Sequence, residues 1–123
     1  MADNDAMAQT LVAALMAADK GAVEACFTAD ARFRSLNPPG LHEAVGAPAI
    51  GELMMSWFSN CSGLEVLDVA TSQVVDRTSI SYRFAGVKEG RGQCEIEQHL
   101  YAVMADDRMA DVTLLCSGFR PTS

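Results

Sequence analysis

The sequence has few positively charged residues and no long run of apolar residues. Its 123 residues include 9 Lys and Arg against 16 Asp and Glu, which gives a formal net charge of -7. A surplus of negative charge repels phosphate backbones and anionic membrane surfaces at long range. No segment reaches the ~18 consecutive apolar residues that a membrane span requires. We therefore expect neither nucleic acid nor a membrane as a partner.

Motifs of cofactor and metal sites are also missing from the sequence. It has no G-x-G-x-x-G, Walker, H-E-x-x-H or G-x-S-x-G pattern. The adjacent Asp106 and Asp107 are typical of a turn, because two neighbouring carboxylates without further oxygen ligands do not form a metal cage. We expect no cofactor and no metal.

The four cysteines are spread along the chain without a C-x-x-C pair or a histidine at ligand spacing. Cys26, Cys61, Cys94 and Cys116 lie in apolar surroundings, which favours reduced core residues over disulfides or a zinc site. Residues 1–19 contain an apolar stretch of signal-peptide length, but its leader is acidic, which favours an amphipathic helix of a soluble protein. The sequence therefore predicts a cytoplasmic protein.

The stretch from Gln93 to Gly118 predicts two long strands joined by a tight acidic turn. In its first arm, apolar and polar residues alternate with a period of two, so one face of the strand is apolar. Gln98 interrupts that apolar face, and an unpaired buried amide costs about 1 to 3 kcal/mol. We interpret Gln98 as the leading pocket residue, with a core amide satisfied by its neighbours as the alternative.

The remaining pattern predicts three helices and then a meander of strands. Helices are predicted over residues 4–18, 22–27 and 48–59, and strands over residues 31–36, 64–73, 77–84 and the two arms of 93–118. Residues 37–48 contain three prolines and two glycines, which predicts an irregular loop. The tail 120–123 is too short for an element. The order predicts one α+β domain over residues 1–123, with helices on one sheet face.

This order resembles the nuclear-transport-factor-2-like superfamily, and within it the SnoaL-like and ketosteroid-isomerase-related proteins. The segments that carry the resemblance are LVAALMAADKGAVEACFTADARF, GAPAIGELMMSWF and EQHLYAVMADDRMADVTLLCSGFRP. The resemblance implies a cone-shaped fold, in which a curved mixed or antiparallel sheet wraps three N-terminal helices and encloses a pocket.

The residues of ketosteroid isomerase chemistry are not in place. That chemistry uses an Asp base and an oxyanion hole made of a Tyr and a protonated Asp, and by resemblance these positions fall on Ser35, Leu11 and Gln98. Leu11 cannot donate a hydrogen bond, and Ser35 is too weak a base at neutral pH without a partner. Gln98 can still donate from its amide, so the resemblance leaves carbonyl binding open and the isomerase reaction unsupported.

Further candidates come from the predicted faces and from the proline loop. His42 is the candidate catalytic residue, because it lies in that loop and histidine is the side chain most often used for proton transfer at neutral pH. Tyr82 shares a strand face with Ile80 and Phe84, and Trp57 is expected in one wall. The residues expected to bind a ligand are Gln98, Ser35, Tyr82, Trp57, Leu11 and Cys116.

Two functions follow from this interpretation. The first is binding of a small hydrophobic carbonyl or polyketide-like molecule in an apolar pocket near the Pro38-Pro39-Gly40 loop, with cofactor-free isomerisation, cyclisation or hydrolysis as a further step. The alternative is a non-catalytic dimerisation or protein-interaction module that uses the polar sheet face around Glu97 and His99. A homodimer through this face is expected, and whether the protein is an enzyme stays open.

Overall fold

The computed structural model describes residues 4–122. The helices are α1 (Asn4–Met16), α2 (Lys20–Glu24) and α3 (Ala47–Phe58). The strands are β1 (Phe27–Asn37), β2 (Gly40–Val45), β3 (Cys61–Val74), β4 (Arg77–Lys88), β5 (Gly92–Ala105), β6 (Arg108–Cys116) and β7 (Arg120–Pro121). None of the helices in this part of the chain is long and apolar enough to cross a membrane.

The strands form one curved, open sheet in the order β2-β1-β6-β5-β4-β3, with β7 added beside β5. Strands β3 to β6 form the predicted antiparallel meander. The sheet is mixed because β1 pairs parallel to β6, and α1 and α3 pack on its inner side. The predicted α+β cone is confirmed.

The core fills the cone between the helices and the inner sheet face. In α3, Ile50, Met54 and Phe58 recur at a spacing of four residues, so all three point inward and are buried. Phe58 packs edge-on against Phe84 of β4, with ring centroids 5.8 Å apart. Burying a Leu, Ile or Phe side chain is worth about 1.5 to 3 kcal/mol. This packing fills the interior between α3 and β4.

The predicted irregular loop over residues 37–48 is wrong, because residues 40–45 form β2. This strand pairs antiparallel with β1, from Asn37 opposite Gly40 to Arg32 opposite Val45. The prolines do not interfere, because Pro38 and Pro39 lie in the tight turn and Pro48 lies in the first turn of α3, where no backbone N–H is needed.

Several other predicted boundaries shift. Strand β1 begins at Phe27 and includes the predicted turn at 28–30, while β4 continues to Lys88. Helix α2 begins earlier than predicted, because the Asp19 carboxylate caps it by accepting from the Ala22 N–H at 3.1 Å. The tail predicted to be too short for an element contributes β7, because its backbone pairs with β5. Such pairing depends on a distant segment and leaves no local pattern.

Candidate functional site

A cavity of about 200 Å³ opens at the mouth of the cone. It lies where the β1–β2 turn, the C-terminal end of α3, the β4–β5 turn and the segment after β6 meet. Its lining residues are Asn37, Pro38, Pro39, Ser56, Trp57, Lys88, Arg91, Ile96, Cys116, Gly118, Phe119 and Arg120. A larger depression lies on the outer sheet face, but its walls include the exposed Arg83–Glu97 ion pair, so it is a surface groove outside the cone.

The walls of the cavity are largely apolar. Phe119 packs edge-on against Phe58 with ring centroids 5.9 Å apart, and Trp57 lies 6.4 Å from Phe33. Gly118 closes the wall beside the β1–β2 turn, because a Cβ at this position would lie 2.8 Å from Pro38 Cγ. Its φ of +75° is also one that glycine adopts without strain. The cavity therefore has aromatic walls and one tight contact between Gly118 and Pro38.

A chain of three buried polar side chains lies beneath the cavity. The Tyr82 hydroxyl donates to Gln98 Oε1, and Gln98 Nε2 donates to Cys116 Sγ at 3.3 Å. The Gly118 N–H also donates to Cys116 Sγ, at 3.3 Å. Burial, reinforced by nearby Cys116, raises the pKa of Tyr82 well above its usual value, so its hydroxyl keeps the proton that it donates.

Gln98 faces the interior as predicted, and the structure gives its amide two partners from the protein. It is fully buried, and it lies behind Cys116, which lines the cavity. This geometry is the alternative in which neighbouring side chains satisfy a core amide. A direct role of Gln98 in ligand binding stays a prediction that requires Cys116 to move.

Two buried oxygens on the inner face of β1 have no hydrogen-bond partner among the described residues. They are Ser35 Oγ and Asn37 Oδ1, two positions apart on one strand and therefore on the same face. Asn37 lines the cavity, whereas Ser35 is fully enclosed in the wall. An orphaned buried acceptor costs about 1 to 3 kcal/mol, so Asn37 marks a point where a ligand donor would be favoured.

His42 lies on β2 directly opposite Ser35 in the β1–β2 register. It is half-buried and is not among the residues that line the cavity. The other histidine of the sequence, His99, lies on the outer face, where its ring stacks on Tyr101 at 4.7 Å. The catalytic role of His42 stays a prediction.

The structure brings together only part of the predicted site. Trp57 and Cys116 line the cavity, and Gln98 and Tyr82 lie behind Cys116. Leu11 is a fully buried core residue of α1, and its predicted ligand contact, like that of Ser35, stays a prediction.

Sequence reasoning missed Asn37 and Phe119, together with the cations of the cavity, Lys88, Arg91 and Arg120. The segments that carry these residues are far apart in the sequence. Asn37 follows Ser35 by two positions, but the predicted strand ends at residue 36 and the predicted irregular loop begins with Asn37, whereas β1 extends to Asn37. Within residues 4–122, no group of three or more His, Cys, Asp or Glu side chains is placed to hold a metal ion.

No family model matches the chain, and no curated protein matches it significantly. Solved structures do share its architecture. A hypothetical protein with a ketosteroid-isomerase-like fold from Catenulispora acidiphila, in complex with trimethylamine, is 13% identical, with a TM-score of 0.75 over 90% of this chain and 85% of that chain.

Two further structures agree with this likeness. A candidate polyketide cyclase from Xanthomonas campestris is 18% identical, with a TM-score of 0.71 over 91% of this chain and 88% of the other. An NTF2-like protein from Burkholderia xenovorans is 12% identical, with a TM-score of 0.67 over 93% and 88% of the two chains. The chain therefore shares the ketosteroid-isomerase-like, or NTF2-like, fold of these structures.

Proposed function

We propose that the cavity at the mouth of the cone binds a small hydrophobic molecule that carries a carbonyl group. The observation that carries this proposal is the combination of aromatic walls with hydrogen-bond donors that line the same cavity. Apolar pockets with a few placed polar groups are typical ligand sites. The side chains of Arg91 and Arg120 at the cavity supply donors for a carbonyl oxygen.

The size of the cavity favours a compact ligand. Its volume of about 200 Å³ equals roughly six or seven water molecules at about 30 Å³ each. A small ring or short chain fits inside, whereas a polyketide-like molecule of the kind suggested by the Xanthomonas campestris protein would protrude past Pro38 and Pro39. A protonated amine such as trimethylamine fits poorly, because the cavity is lined by three cations and no carboxylate.

The function proposed for the cavity is ligand binding, without catalysis. Within the described chain, the residues that line the cavity include no Asp, Glu or His, so the cavity itself offers no carboxylate or imidazole as a general base. Isomerisation, cyclisation or hydrolysis without a cofactor would require His42 to reach the ligand from β2.

Titration with cyclohexanone, followed by the fluorescence of Trp57, tests the proposal. The sequence contains one tryptophan, and it lines the cavity, so its emission reports on occupancy. We expect Ser56→Phe to abolish the response, because the new ring fills the mouth. Ser59→Phe, exposed at the end of the same helix and outside the lining, is the matched control.

Native mass spectrometry of the purified protein complements this titration by detecting a co-purifying small molecule. The proposal is wrong if the wild-type protein neither responds to cyclohexanone nor carries such a molecule.

A second proposal concerns the outer sheet face, where we infer that a second copy of the chain docks. Leu41, Leu36 and Leu115 lie side by side on β2, β1 and β6 and are 64%, 52% and 60% exposed. Contiguous exposed apolar residues commonly mark interaction surfaces. The adjoining Arg34–Asp111 ion pair offers both charge signs, so a two-fold-related copy can meet complementary charges.

A further inference from the structure

We propose that the cavity selects a small carboxylate anion that also carries a hydroxyl group. This inference rests on the proposed function and narrows it to one class of ligand. Lys88, Arg91 and Arg120 line the cavity, and none of the other lining residues is acidic. Such a cluster stands out in a chain with a net charge of -7.

Two of the three cations are held in place by the protein. Lys88 Nζ donates to the Trp57 carbonyl at 2.8 Å and to Asn60 Oδ1, and it lies 4.4 Å from the centroid of the Phe119 ring. Arg91 Nη1 donates to the Phe119 carbonyl at 3.1 Å. Both charges are therefore fixed beside the aromatic wall before a ligand arrives, which lowers the entropy cost of binding.

These cations lack counter-ions among the described residues. Among residues 4–122 the ion pairs are Lys20–Glu24, Arg34–Asp111, Arg77–Asp76 and Arg83–Glu97, so none of the three cations is paired. Glu95 lies opposite Arg120 in the β5–β7 register but forms no ion pair with it. Unpaired guanidinium groups beside an apolar cavity suit a carboxylate, which they can bind in a bidentate manner.

The hydroxyl group follows from the unpartnered oxygen of Asn37. An amide oxygen only accepts hydrogen bonds, so a carboxylate cannot satisfy it and a donor on the ligand must. The cavity thus combines positive groups for an anion, aromatic walls for an apolar body and one acceptor for a hydroxyl. A small hydroxy acid has all three matching features.

A series of related compounds tests the charge preference through Trp57 fluorescence. Phenylacetate, phenylacetamide and phenethylamine share an apolar body and present an anion, a neutral carbonyl group and a cation. We expect phenylacetate to bind most tightly and phenethylamine least. Added salt should weaken only phenylacetate binding, because screening acts on charge attraction.

Two sets of variants assign this preference to residues. Arg91→Gln with Arg120→Gln should weaken phenylacetate binding by about five- to tenfold, as expected for two exposed charge contacts. The same change should weaken phenylacetamide binding much less, because a Gln amide can still donate to a neutral carbonyl oxygen. Arg77→Gln with Arg108→Gln removes the same charge away from the cavity and should have no effect. Replacing Arg91 and Arg120 by Lys should restore much of the affinity.

Mandelate, which is phenylacetate with an added hydroxyl, tests the role of Asn37. Mandelate should bind the wild-type protein more tightly than phenylacetate does. In Asn37→Ala, the two compounds should bind with equal affinity. The inference is overturned if phenylacetamide binds as tightly as phenylacetate, and that result leaves the proposed function standing. If neither this series nor cyclohexanone binds, the proposed function fails as well.

Discussion

At the residue scale, the hydrogen-bonded side chains of Tyr82, Gln98 and Cys116 show how a buried amide is tolerated. Each member satisfies the next, so no polar atom of Gln98 depends on a ligand for its partner. Networks of this kind are sensitive to the loss of one member, because the remaining groups keep their burial and lose their partner. The hydrogen bonds beneath the cavity therefore contribute to the stability of the whole fold.

We expect Tyr82→Phe to destabilise the protein by about 1 to 3 kcal/mol, because Gln98 Oε1 loses its donor in a buried site. Urea unfolding measures this change. Tyr101→Phe is the control, since Tyr101 is 42% exposed on the outer face and its loss should be nearly neutral.

The same tyrosine should give the protein an alkaline stability limit. Burial raises the pKa of Tyr82 above its usual value near 10, so above about pH 10 the unfolded chain releases a proton that the folded chain retains. The contribution of Tyr82 to stability is therefore complete below pH 10 and is lost as the pH rises further. Tyr82→Phe should lack this part of the alkaline loss, and an identical pH profile would contradict the assignment.

At the scale of elements, the cavity depends on a contact between two connecting segments. The β1–β2 turn meets the segment after β6 at Gly118 and Pro38, and this contact positions Asn37 and Phe119 on either side of the same opening. Helix α3 supplies Trp57 from a third direction. The cavity is therefore assembled from segments that only the complete sheet brings together.

Gly118→Ala should be more damaging than Gly90→Ala. Both glycines have positive φ, +75° and +83°, so both variants share a backbone cost of about 1 to 2 kcal/mol. A Cβ at Gly118 would also meet Pro38, whereas one at Gly90 meets nothing within 4 Å. We expect a further 1 to 3 kcal/mol or so for Gly118→Ala, measured by urea unfolding, and weaker cyclohexanone binding. Equal losses of stability in the two variants would show that Pro38 can move away from a new Cβ at little cost.

The elements differ in how far the sequence could predict them. The period of two in β5 and the spacing of Ile50, Met54 and Phe58 in α3 are local signals, and both predictions are confirmed. Strands β2 and β7 were missed, because their pairing to β1 and β5 depends on distant backbone. The cations and Asn37 were missed for the same reason, since only tertiary packing brings them to one opening.

At the scale of the whole molecule, net charge and exposed apolar surface act in opposite directions. Two copies with a charge of -7 each repel one another, while the row formed by Leu41, Leu36 and Leu115 favours association by burying apolar area. The cytoplasmic location stays a prediction from the sequence. Self-association is open to a direct measurement.

We expect the wild-type protein to sediment as a dimer in analytical ultracentrifugation and Leu115→Arg to sediment as a monomer, because the new charge enters the centre of the apolar row. Leu67→Arg is the control, since Leu67 is 48% exposed on β3, away from this row. Higher ionic strength should strengthen the wild-type dimer by screening the mutual repulsion. A wild-type monomer at micromolar concentration would rule out the interface.

The parallel pairing of β1 with β6 also has a consequence for biosynthesis. Arg34 and Asp111, which meet across this pair, are 77 positions apart along the chain, and contacts of such long separation form late in folding. A nascent chain leaving the ribosome therefore exposes one flank of β1 until β6 (Arg108–Cys116) has been translated. During that interval β2 pairs with the other edge of β1, which gives this short strand a part in keeping unfinished chains from aggregating.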